Sequence, residues 1–134
     1  MNVMREADVM ECRAGGFDPA VALDASVAAS DESFQEMHNG EMLAGWGYKA
    51  LGMLSGVALV WMLSFEGADR HKVYFARTSR ARMHYLLKHF SLLRCEVWSG
   101  HDMALKWLRW LGFTQTSMHW RGEELFYVME KERD

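Results

Sequence analysis

The stretch Leu92–Phe113, LLRCEVWSGHDMALKWLRWLGF, leaves this chain few ways to fold. Leu92 to Trp98 is a largely apolar run of strand length. Ser99-Gly100 breaks it, and Asp102 stands where a helix N-cap is expected. Ala104, Leu105, Trp107, Leu108 and Leu111 then share one helical face, with Lys106 and Arg109 opposite. Gly112 offers the positive φ that ends a helix, and Phe113 opens a further strand. A strand, a tight turn, an amphipathic helix and a Gly-Phe exit need an apolar sheet to pack on. The class is therefore α/β.

The rest of the chain supplies that sheet. Arg5–Arg13 reads as a short helix stopped by Gly15-Gly16, and Asp18-Pro19 caps a second, small-residue helix through Ala29. Ser33–His38 and Glu41–Tyr48 alternate about Asn39-Gly40, a strong hairpin signal. A loop follows over Lys49–Gly56. Val57–Phe65, VALVWMLSF, is apolar on both faces and predicts the central strand. Glu66–Arg70 reads as a turn, and His71–Phe90 changes to a helical period with Ala76, Met83, Leu86, Leu87 and Phe90 inward. Arg77, Arg80, Arg82 and Lys88 form its wet side. Phe113–Trp120 and Glu124–Glu130 make a closing hairpin, with a charged, frayed tail after it. The whole of 1–134 reads as a single domain.

Charge and composition exclude several classes. The formal net charge of −3 gives no global basic field, so no nucleic-acid partner is expected. The uncharged run Ala50–Phe65 falls short of the ~20 residues a membrane span needs. Cys12 and Cys95 lack metal-ligand spacing, and His84 and His89 lie on different sides of their helix, so no metal site is expected. The N-terminal MNVMREADVMECR carries charge where a secretory signal is apolar, which predicts free thiols in a reducing cytoplasm. The Met and Trp content suits a core first and an adaptable interface second.

From His101 to Phe113, HDMALKWLRWLGF resembles without a gap the closing motif of the GCN5-related N-acetyltransferase superfamily, roughly N-x-x-A-x-x-[FLW]-Y-x-x-x-G-F. Ala104, Trp107, Leu111, Gly112 and Phe113 match. His101 stands for the usual Asn and Leu108 for the usual Tyr. The element order is also similar to the small acetyltransferase-like proteins of short-tailed bacteriophages, some of them internal virion or virion-assembly proteins. The resemblance implies a mixed sheet with two N-terminal helices, a crossover helix, a second helix and a closing C-terminal hairpin. It also implies that Val57–Phe65 and Leu92–Trp98 run parallel and splay to leave an acyl-CoA cleft.

Two functions follow from the resemblance as expectations. One is N-acetyl transfer from acetyl-CoA. The cofactor would be held by Gly67 and Arg70 of EGADRHK or, in an alternative alignment, by Arg77 and Arg80 of ARTSRAR, together with His101. Leu108 has no proton for a departing thiolate, so the catalytic residues stay unassigned; His101 and Tyr48 are the side chains that could replace the lost hydroxyl. The alternative is a non-catalytic phage protein with virion or host protein partners, or a homodimer. It would act in the host cytoplasm or packaged in the virion.

Overall fold

The computed structural model describes residues 3–52 and 54–134. Met1 and Asn2 of the N-terminal stretch, and Met53 of the predicted loop, lie outside the described residues. The elements are α1 (Glu6–Ala14), α2 (Pro19–Ala29), β1 (Glu32–His38), β2 (Glu41–Ala50), β3 (Val57–Ser64), α3 (Glu66–Arg70), α4 (Lys72–His89), β4 (Leu92–Trp98), α5 (Asp102–Leu111), β5 (Thr114–Arg121) and β6 (Glu124–Glu132). Six strands form one sheet in the order β1-β2-β3-β4-β6-β5. Every neighbouring pair is antiparallel except β3 and β4. The architecture is therefore the mixed α/β sheet that the element order predicts.

Local chemistry sets the joints. Asn39 and Gly40 take φ of 50° and 79°, closing the β1–β2 hairpin in the left-handed region its two central residues need. Asp18 Oδ1 accepts from the Ala20 amide at 3.0 Å, and Pro19 opens α2 behind it. The short side chains of α2 let it lie close on the sheet: a Cβ on Gly45 of β2 would come within 2.5 Å of Leu23 Cδ1. On the opposite layer, Met83, Leu86 and Leu87 of α4 and Leu105, Leu108 and Leu111 of α5 pack on Leu93, Val97 and Met129. That face-matched burial is the main reason a helical period appears in both segments.

Four expectations need correction. The N-cap of α5 is His101, with Asp102 already helical, because the imidazole reaches the Ala104 amide. Glu66–Arg70 is a single helical turn, α3, rather than an irregular turn, since buried Gly67 and Ala68 seat it against β2. β2 extends to Ala50, because Asp31 Oδ2 takes the Ala50 amide at 2.8 Å. The tail is not frayed: β6 runs to Glu132, and Arg133 binds the Ser91 and Leu87 carbonyls at 2.9 and 2.6 Å. No helix among the described residues is long and apolar enough to cross a membrane.

Candidate active site

β3 and β4 pair only at Val57–Leu92, Ala58–Leu93 and Leu59–Arg94. Beyond those three positions the parallel strands part, leaving a cleft of about 500 Å3. Its interior is apolar: Val60 and Met62 of β3, Cys95 and Val97 of β4, Phe75 and Met83 of α4, and Trp107, Leu108 and Leu111 of α5. Phe75 and Trp107 stack with centroids 5.6 Å apart, tying α4 to α5 at one wall. Its polar lining comes from Arg5, Asp8, Glu11, Asp69, Lys72, Glu96 and His101. A concave apolar site with a few convergent polar groups is the usual form of a small-molecule site.

Parting strands leave backbone groups without ladder partners, and a buried orphan of that kind is costly. Here α1 and the residues before it supply the partners. Asp8 Oδ2 accepts from the Ser64 amide and, at 2.5 Å, from the Ser64 hydroxyl. Glu11 Oε2 accepts from the Trp98 amide at 2.9 Å. The Arg5 amide donates to the Ser64 carbonyl at 3.0 Å, and the Glu66 amide to the Val3 carbonyl at 2.8 Å. One helix thus clamps the free ends of both strands and closes the wide end of the V.

His101 joins that clamp to α5. Its Nδ1 accepts from the Ala104 amide at 3.1 Å, so the neutral ring carries its proton on Nε2, which donates to Asp8 Oδ1 at 2.5 Å. Asp8 and His101 are both buried. Burial and the Ala104 bond favour the neutral imidazole, but the hydrogen bond to Asp8 and the charge of Glu11 outweigh them and raise its pKa. Burial likewise raises the Glu11 carboxyl, against the Trp98 amide and the nearby imidazole. Cys95 is pushed up to about 12 by burial, so it is a packed thiol rather than a nucleophile.

Of the five residues expected to hold a cofactor, only His101 lines the cleft. Gly67 is buried in α3, where a Cβ would stand 2.6 Å from the Met42 carbonyl oxygen. Arg70 is exposed and bonded to Glu41 Oε2 at 2.7 Å. Arg77 and Arg80 lie on the solvent side of α4, with the Arg80 guanidinium 4.2 Å over the Trp110 ring. Tyr48 sits away from the cleft, and its bond to Glu32 pushes its phenol up to about 12. Leu108 does line the cleft, 8% exposed. Among the described residues no group of three or more His, Cys, Asp or Glu could hold a metal ion.

Arg5, Asp8 and Glu11 are the site residues that sequence reasoning missed. Their signal was present: Asp8 stands one turn before Cys12 and three residues before Glu11, on the face that packs inward. Carboxylates on an apolar face mark a buried polar role.

No family model matches the chain, and no curated protein matches it. Solved structures do. The ribosomal-protein-S18-alanine N-acetyltransferase of Escherichia coli superposes with a TM-score of 0.66 at 17% identity, over 99% of this chain and 94% of that one. A protein designated a phosphinothricin N-acetyltransferase gives 0.69 at 12% identity, over 100% and 98%. A ribosomal L7/L12 alpha-N-protein acetyltransferase in complex with coenzyme A gives 0.64 at 9% identity. That match covers 75% of this chain but spans only 60% of the other. At such identities the likeness establishes the fold, which is that of the N-acetyltransferases.

Proposed function

We propose that the chain is an acyl-CoA-dependent N-acyltransferase that works with a reduced set of catalytic groups. The observation that carries this is the cleft between β3 and β4, apolar inside and edged by two titrating groups with raised pKa values. A largely apolar cleft of about 500 Å3 supports the acyl and pantetheine part of acetyl-CoA as its occupant. Trp107 Nε1 and Arg5 Nε are buried donors without an acceptor among the described residues, and both belong to cleft-lining side chains. At the phosphate end, Lys72 and the first turn of α4 offer positive charge, while Arg5 neutralises Asp69 at 3.0 Å.

When bound, the coenzyme supplies the activated acyl group. The chain's own residues do the rest. Val60, Met62, Met83 and Leu108 exclude water from the reacting region. Glu11, its pKa raised and one oxygen held by the Trp98 amide, takes the proton that an attacking amine must lose. Asp8 and His101 hold α1 in place beneath it. Leu108 donates no proton to the departing thiolate, so the rate rests on proximity and on Glu11.

Thermal unfolding with acetyl-CoA tests this directly. At a hundredfold excess over its dissociation constant the ligand should add about 2.7 kcal/mol of stability. Glu11→Gln should then lower kcat by about 100-fold or more at unchanged acetyl-CoA stabilisation. No stabilisation at millimolar acetyl-CoA would remove the reading.

The second reading is a non-catalytic phage protein of virion assembly or host interaction on the same scaffold. It is favoured by the hydrocarbon at Leu108, by the commitment of Gly67 to packing, and by Met118 and Trp120 at 60% and 66% exposure on edge strand β5. Large apolar side chains at an uncovered sheet edge suit a protein partner or a second copy. Stable dimerisation, or co-purification with virion components, together with silence toward acetyl-CoA, supports this reading.

A further inference from the structure

The net charge of −3 hides a strong segregation. α4 and α5 hold seven of the fifteen Lys and Arg and only one acid, Asp102. The rest of the chain holds eight basic residues against seventeen acids. Outside these two helices, four of the six arginines pair with carboxylates: Arg5 with Asp69, Arg70 with Glu41, Arg94 with Glu130 and Arg121 with Glu96. On the helices only Arg82 is paired, with Glu36. Arg77, Arg80, Lys88, Lys106 and Arg109 are exposed and have no ion-pair partner among the described residues.

Their placement is ordered. Residues 77, 80, 84 and 88 follow one another at steps of three and four, so Arg77, Arg80, His84 and Lys88 form a line along the outside of α4. Each step advances about 5–6 Å, close to the spacing of phosphates along a nucleic-acid strand. Beside that line stands Trp110 of α5, 49% exposed, with the Arg80 guanidinium over its ring. A solvated helix face has no need of an uncovered indole beside its cations.

We infer that the outer face of α4 and α5 is a docking surface for single-stranded nucleic acid. Arg77, Arg80 and Lys88 track the phosphates, and Trp110 with Arg80 gives a base a stacking platform. Single strands fit better than a duplex because a duplex hides its base faces from such a platform. The acidic remainder of the molecule repels the same strand, which restricts contact to this face. The surface is separate from the cleft and does not depend on acyl transfer.

The test is fluorescence anisotropy of a labelled oligothymidine with the full chain. Raising salt from about 50 to about 200 mM should weaken binding roughly 20- to 100-fold, as for three to five phosphate contacts. Combined Arg77→Ala, Arg80→Ala and Lys88→Ala should reduce the slope of log Kd against log salt by about 2, with unchanged circular dichroism. Arg77→Gln alone, which keeps the α4 surface otherwise intact, should reduce it by about 0.7. Trp110→Ala should cost roughly fivefold or more at fixed salt. Absence of binding at low salt, or a salt slope unchanged in these variants, overturns the inference. So does equal displacement by a polyglutamate peptide of matched charge, which would assign the face to an acidic protein instead.

Discussion

The two walls of the cleft are built on different terms. The β4–α5 wall keeps most of the backbone devices its sequence announces, an inward row of Leu105, Leu108 and Leu111 and Gly112 at φ 101°, with His101 in place of Asp102 as the helix cap. Toward the cleft it presents the hydrocarbon side chain of Leu108. At the β3–α4 wall, Phe65 passes directly into the single turn of α3. Gly67 is used for contact with β2, Arg70 faces Glu41, and Asp69 faces Arg5. One wall follows the local pattern of its sequence, while the other is set by contacts made across the fold. The difference teaches that local backbone signals and long-range partners fall on separable positions.

The comparison breaks most readily at the clamp that joins the walls. Asp8→Ala leaves the Ser64 amide and hydroxyl and the His101 ring without their buried acceptor, and should cost about 3–5 kcal/mol by denaturant unfolding. A loss below 1 kcal/mol would mean water replaces the carboxylate and α1 is no clamp. Gly112→Val comes next. It forces a branched residue into the left-handed region and should cost about 2 kcal/mol, whatever the protein does. Its Cβ would also meet Lys131 Nζ at 2.5 Å, a contact that the flexible lysine can relieve.

Leu108→Tyr sharpens the contrast rather than breaking it. The position borders open space, so the melting temperature should fall by the equivalent of about 1 kcal/mol or less, while acetyl-CoA turnover rises. A variant both destabilised and inert would confine the acetyltransferase likeness to the fold.

The pH dependence is smaller still. Glu11 and His101 both have raised pKa values, so each holds its proton more tightly in the folded chain. Their contribution is complete below the unfolded values and is lost as pH rises, for Glu11 from 4.5 upward and for His101 from 6.5 upward. Glu11→Gln should flatten the lower part of that decline relative to the parent protein in parallel melting curves. Arg70→Ala should change least. Its pair with Glu41 lies at the surface, and a melting curve should not distinguish the variant. A clear loss there would show that the β3–α4 wall depends on that pair after all.

Sequence alone determined whatever rests on neighbours a few residues apart. The period of Leu105, Leu108 and Leu111, the glycine after them, Asn39-Gly40, and the doubly apolar Val57–Phe65 each specify local backbone, because propensity, capping and burial act over one or two turns. Those elements in that order leave little freedom in topology, so the six-stranded mixed sheet followed. Tertiary structure decided the site. Asp8 meets Ser64 and His101 across 56 and 93 residues, and Glu11 meets Trp98 across 87. No local pattern encodes which carboxylate answers an amide freed by two strands that part. The fate of Gly67 and Arg70 was hidden for the same reason: a glycine or arginine can serve a ligand or a neighbour, and only the distance to Met42 or Glu41 distinguishes them. Local free energies shape elements, whereas partners for buried charge are chosen by whatever the closed fold brings within reach.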